Sequence, residues 1–154
     1  MASPNKQPGQ DRSMDLVRLL ALASFLPFLF LAAMMVLVGA HSTWSSVAID
    51  GFKTWSAIVL ALLGGIRWGL ALRADQTRGA PIAFAAFAAL VGWVALFAPG
   101  GIGVGILLLA HCAQGAWDSI SAQRGATPAW FGTIRIVWTL LVAAAHIAVF
   151  AAIY

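Results

Sequence analysis

Glutamate is missing from all 154 residues, and lysine occurs only at Lys6 and Lys53. Charged residues make up 9% of the chain, where a soluble domain carries roughly 25%. A solvated surface cannot be built from that supply, and an apolar content of 62% with a mean hydropathy of +0.91 points the same way. The shortage excludes a soluble globular domain and a disordered chain. It also excludes a nucleic-acid binder, despite a net charge of +4 and a pI near 10.3. Cysteine is nearly absent too. Cys112 stands alone, so neither an intramolecular disulfide nor a thiolate metal site can form. It is expected to be a small buried residue in mid-span.

Catalytic signatures are also lacking. There is no H-E-x-x-H, no acidic cluster for magnesium and no strand–glycine loop–helix for phosphate. The glycine-rich stretch from Gly100 to Gly105 enters an apolar span and follows no strand. Ser24 and Ser56 have no histidine or acid at an obvious partner spacing. Nothing here implies an enzyme, a metal or a cofactor.

What the sequence does contain is long uncharged runs: Leu19 to Ile49, Gly79 to Trp117 and Ile136 to Tyr154. A spanning helix needs roughly 20 apolar residues, and no alternating ten-residue segments suggest a β-barrel. The expected fold is an all-α integral membrane protein, a five-transmembrane-helix bundle. Its spans are expected near Asp15–Ala40, Val47–Leu72, Ala80–Ala98, Gly101–Ser121 and Ala129–Tyr154. Residues 1–13 read as a disordered cytoplasmic tail, and residues 14–154 as the five-helix domain. The first apolar stretch is too long for a signal peptide, so the first span is expected to be retained. Pro27 should kink it. Trp44 suits an interfacial belt, and the short Ala98–Gly101 loop implies a tight hairpin.

Five crossings place the N-terminus, the second loop and the fourth loop on one side. Those segments hold Lys6, Arg12, Arg18, Arg73, Arg78 and Arg124, against Lys53 alone on the other. Positive charge collects on the cytoplasmic side, so the N-terminus is expected inside and Tyr154 outside. Small residues recur every four positions at Ala61, Gly65 and Gly69, and again at Gly101 and Gly105. Such faces let membrane helices approach closely. Packing within the chain is the expected use, with association between copies as the alternative.

Charge at membrane depth costs roughly 2.5–3.5 kcal/mol for a central arginine, so Arg67, Asp118 and Arg135 need a reason. Asp118 and Arg135 are equidistant from the centre of the turn between the fourth and fifth spans, and should lie level. Arg67 should sit roughly 9 Å below the inner boundary, at 1.5 Å per residue. The three are expected to meet as an inner-leaflet network with one surplus positive charge. Snorkelling to lipid phosphate is the alternative. His111, Gln114, Gly115, Asp118 and Ser121 form one stripe, and Arg135, Thr139, Val142 and His146 another. Both should face the bundle interior. His111 and His146 should differ in depth by roughly 6 Å, poor spacing for a compact metal site.

Three segments carry a family resemblance: Leu26-Pro27-Phe28, the stretch from Leu63 to Ala71, and Pro128-x-Trp130-Phe131 followed by Arg135 and Thr139. Together they resemble the small membrane proteins described as domain of unknown function 3429, which include mitochondrial transmembrane protein 69. Trp93 and Asp118 also fit the pattern, while the three histidines match no family motif. The resemblance implies a five-helix inner-membrane protein, bacterial or mitochondrial, without an established activity.

Three roles follow as expectations. The first is a non-enzymatic accessory subunit, scaffold or assembly factor acting through helix–helix contacts. The second is a small anion or lipid carrier using the Arg67/Asp118/Arg135 site. The third is quinone- or haem-linked redox work using the histidines. The expected partners are the lipid bilayer with its anionic lipids, other membrane subunits or further copies of the chain. The expected location is the bacterial inner membrane. A mitochondrial one is the lesser alternative, because the polar tail is short for a transit peptide.

Overall fold

The computed structural model describes residues 8–73, 79–127 and 129–154, and every regular element among them is helical. The helices are α1 (Pro8–Val38), α2 (Ser45–Arg73), α3 (Gly79–Phe97), α4 (Gly100–Gln123) and α5 (Ala129–Ile153). Segments of α1, α2, α4 and α5 are long and apolar enough to cross a membrane, whereas the apolar run described in α3, Ile82–Phe97, is shorter. Helix α1 begins inside the segment expected to be a disordered tail. Proline's fixed φ suits a first helical position, so Pro8 can open the helix. Lys6 and Arg78 lie outside the described residues, as do the side chains of Arg12, Arg18 and Arg73.

The surface is what an aqueous protein would bury. Phe30, Leu37 and Leu109 are 68%, 84% and 72% exposed. The interior, by contrast, holds Lys53, Ser56, His111, Gln114, Asp118, Arg135 and His146 beside its apolar residues. That inversion fits lipid as the surrounding solvent. Cys112 faces outward, correcting the expectation of a buried thiol. It follows the fully buried His111, and adjacent positions on a helix point in different directions.

Helix α2 packs against α1, α3 and α4, and α5 closes the bundle against α1 and α4. One apolar cluster joins Phe28, Met35, Phe52, Val104, Trp138, Val142 and Val149. A second joins Ala57, Leu60, Ala88, Ala95 and Leu107. Helix α1 is continuous through Pro27, which deprives the Ala23 carbonyl of its helical donor. Indole nitrogens support α1 on either side of that point, Trp138 Nε1 donating to Ala21 O at 3.2 Å and Trp55 Nε1 to Ser24 O at 3.0 Å.

The close-approach glycines are mostly not the ones the four-residue spacing marked. A Cβ on Gly64 would lie 2.6 Å from Ala85 O, so α2 meets α3 through Gly64 rather than through Gly65. Gly65, Gly69 and Gly105 have nothing within 4 Å of a Cβ position. Of the expected set, Gly101 is packed, against the Tyr154 ring. The α4–α5 contact depends instead on Gly115, where a Cβ would overlap the Thr139 side chain, and on Gly132, where it would lie 2.6 Å from Ala122 Cβ. Spacing shows that small residues share a face, and the neighbours determine which face is used.

Candidate functional site

The α4–α5 hairpin reverses through Gly125, whose φ of +73° is open to glycine at little cost. Three backbone bonds close the end of α4: Arg124 N to Ile120 O, Gly125 N to Ala122 O, and Ala126 N to Ser121 O. This register sets Asp118 opposite Arg135. Arg135 Nε donates to Asp118 Oδ2 at 2.7 Å, and Arg67 Nε lies 3.0 Å from Oδ1. One carboxylate thus joins α2, α4 and α5. Arg67 Nη2 also donates to Ser121 Oγ at 2.6 Å, and Ser121 Oγ donates to Trp117 O at 2.8 Å.

The cluster is shielded. Asp118 is 1% exposed and Arg135 3%. The Arg67 guanidinium lies 5.8 Å from the Trp117 ring centre and that of Arg135 5.4 Å from the Trp138 ring, distances at which an aromatic face attracts a cation. Two positive charges share one negative charge, so a surplus of one remains. Arg135 Nη1 and Nη2 have no hydrogen-bond partner among the described residues. Chemically, the cluster is an ion-paired staple between three helices with two buried donors left over.

A second polar centre joins α2, α4 and α5 elsewhere in the bundle. Ser56 Oγ lies 3.1 Å from His111 Nε2 and 2.9 Å from His146 Nε2. His146 Nδ1 lies 2.8 Å from Val142 O. All three side chains are fully buried, and Phe28 and Phe52 pack against the rings. Ser56 occupies the space between the two Nε2 atoms, where a haem held by both histidines would place its iron.

The stripes expected to face inward lie mostly inside the bundle, with Ser121 only partly buried. His111, Gln114, Gly115 and Asp118 on α4 are buried, as are Arg135, Val142 and His146 on α5. Thr139 is partly buried, and its Oγ1 and Gln114 Oε1 have no hydrogen-bond partner among the described residues. Two further groups escaped the sequence. Ser56 lacks a partner by spacing because both histidines come from distant helices. Lys53, counted only as a surface charge, is buried, and its Nζ donates to Leu96 O at 3.1 Å and Ala98 O at 2.8 Å. Those carbonyls end α3, where unpaired acceptors collect. Gly103 makes room for the lysine stem, since a Cβ there would lie 2.8 Å from Lys53 Cε.

A family model described as "Protein of unknown function (DUF3429)" matches residues 14–151, nearly the whole chain. The matched range contains the three segments that carry the resemblance, together with Asp118. No curated protein and no solved structure matches, so the likeness to mitochondrial transmembrane protein 69 stays an expectation.

Proposed function

We propose, from the premise that the chain belongs to the DUF3429 family, that it is a five-span membrane protein without catalysis of its own. It acts as an accessory, scaffold or assembly factor through helix contacts in the bilayer. One observation carries this role: Gly65 and Gly69 lie on an outward face of α2 with open space where a side chain would stand. Glycine within a helix costs roughly 0.5–1 kcal/mol relative to alanine, and no contact inside the bundle offsets that here. A helix from another subunit or a second copy can approach such a face closely. The six-to-one distribution of cationic residues supports a bacterial inner membrane setting with a cytoplasmic N-terminus and a periplasmic C-terminus.

The test is the double variant Gly65→Leu/Gly69→Leu, purified in mild detergent beside the wild type. Bulk on an open face should leave the bundle folded while removing larger assemblies or a co-purifying subunit, read by native mass spectrometry and cross-linking. A wild type that runs only as a lone protomer, or a variant that assembles as the wild type does, would end this role.

A second role has its own support. The unpartnered Nη1 and Nη2 of Arg135, beside a surplus positive charge, favour a small anion or anionic headgroup at the Arg67/Asp118/Arg135 cluster. Arg135→Gln should then lower phospholipid retained through purification or anion flux in vesicles, and unchanged values for both would dismiss it.

A further inference from the structure

Between α3 and α4 lies a pocket of about 330 Å³ that neither role above uses. Leu60 on α2, fully buried, stands at its base, and Phe84, Phe87 and Val91 on α3 line it with Leu109 and Gln114 on α4. Phe87 and Leu109 are exposed, so the pocket opens sideways onto the surface that lipid covers. Val91 and Ile106 are equidistant from the centre of the α3–α4 turn, between Ala98 and Pro99, as are Phe84 and Ala113. The pocket therefore runs along the helices for roughly 10 Å, at 1.5 Å per residue. Gln114 stands at the end nearer the α4–α5 turn.

Gln114 is the single polar residue among those lining the pocket. It is 3% exposed. Its Oε1 is enclosed without a hydrogen-bond partner, and no described group pairs with its Nε2. Burying an amide unpaired costs free energy, and nothing among the described residues offsets that cost, which points to a partner from outside the chain. The last torsion of glutamine is soft, so the amide can turn either its N–H or its carbonyl into the pocket. The first setting pairs with a carbonyl and the second with a hydroxyl.

Depth and charge narrow the partner. Gln114 lies nine residues before the end of α4, about 13.5 Å along the axis. The helix has 24 residues and extends about 3 Å beyond a hydrocarbon core of roughly 30 Å on either side. The amide thus sits about 10 Å inside the hydrocarbon, where the ester and phosphate oxygens of a glycerolipid do not reach. None of the lining residues is charged, and Arg67, Asp118 and Arg135, beyond the end of the pocket, are engaged with one another. The partner is therefore neutral. Phe84 and Phe87, one turn apart on α3, put aromatic rings on the wall, and Phe84 is held by stacking on Trp117, ring centres 4.8 Å apart and planes at 19°. Such rings favour a flat aromatic or quinoid neighbour.

We propose that this pocket binds the ring of a lipid-borne quinone, in its oxidised or reduced form, with the apolar chain leaving sideways into the bilayer. A quinone carbonyl accepts from Gln114 Nε2, and a quinol hydroxyl donates to Gln114 Oε1. The protein holds the ring and breaks no bond in it. The proposal goes beyond the contact role and stands without it.

The full chain in phosphatidylcholine nanodiscs, free of quinone, is titrated with decylubiquinone while tryptophan fluorescence is read. Collisions within the lipid quench linearly, whereas a ring bound beside Trp117 adds a component that saturates. The wild type should show that component, and Gln114→Leu should weaken it about tenfold, the loss of one buried hydrogen bond. Ala113→Leu, on the pocket wall, should weaken it as well. Gln114→Leu should melt no lower than the wild type, because no internal bond is lost. Linear quenching alone in the wild type, or an unchanged saturating component in Gln114→Leu, overturns the proposal. So does a marked loss of stability in Gln114→Leu, which would give the amide to the bundle. Displacement of the probe by decanol at equal concentration also overturns it, since the pocket would then read a chain and a hydroxyl but no ring.

Discussion

At the scale of single residues, Asp118 has the heaviest task, because it is the sole carboxylate against two guanidinium groups. Removing one member of a buried ion pair costs roughly 3–5 kcal/mol, since the other charge stays buried and uncompensated. Asp118→Asn should therefore destabilise strongly in equilibrium unfolding from mixed micelles, and adding Arg135→Gln should recover part of the loss. Additive effects would show that the pair is not coupled. Gly103 offers a contrast with Gly105. Gly103→Ala sets a methyl group 2.7 Å from Ala95 O and against the Lys53 stem, so a cost of about 1–3 kcal/mol is expected. Gly105→Ala meets open space and should be neutral or stabilising by about 0.4–1 kcal/mol. Equal melting temperatures for the two variants would contradict the packing described. The glycine spacing could not separate these residues, because a sequence records where a side chain is missing and not what stands opposite.

At the scale of elements, the α4–α5 hairpin sets the alignment of the ionic cluster. Gly125 ends α4 with a positive φ, a conformation that costs other residues roughly 1–2 kcal/mol. Gly125→Ala should lower stability by about that amount, measured by thermal unfolding. It should also loosen the Asp118–Arg135 pair, so that Asp118→Asn costs less in the Gly125→Ala background than in the wild type. An undiminished cost would mean that the hairpin turn does not set the pair. This hairpin was legible in sequence, since counting outward from the turn between two helices gives depth directly. The contact of α2 was not. Arg67 could be given a depth from Arg73, but whether it turns toward α4 depends on how α2 rotates, and Gly64 against Ala85 fixes that rotation.

At the scale of the whole molecule, the inside-out distribution of polarity leads to a labelling prediction. Cys112 faces outward between exposed apolar neighbours such as Leu109. In a bilayer its thiol should react with a membrane-permeant maleimide and resist an impermeant one from either side. Rapid reaction with the impermeant reagent would show that this face meets water. The sequence by itself determined an apolar chain that is helical throughout its described elements, the limits of α2 to α5 to within about two residues, and the side of α4 and α5 on which most of the polar residues lie. Those properties follow from composition and the 3.6-residue period, which act locally along the chain. Tertiary structure alone decided that Ser56 joins two distant histidines, that Lys53 turns inward to end α3, and that Gly65 and Gly69 are left uncovered. Each depends on the rotation of one helix against its neighbours, which side-chain packing sets and which no periodicity within a single helix encodes.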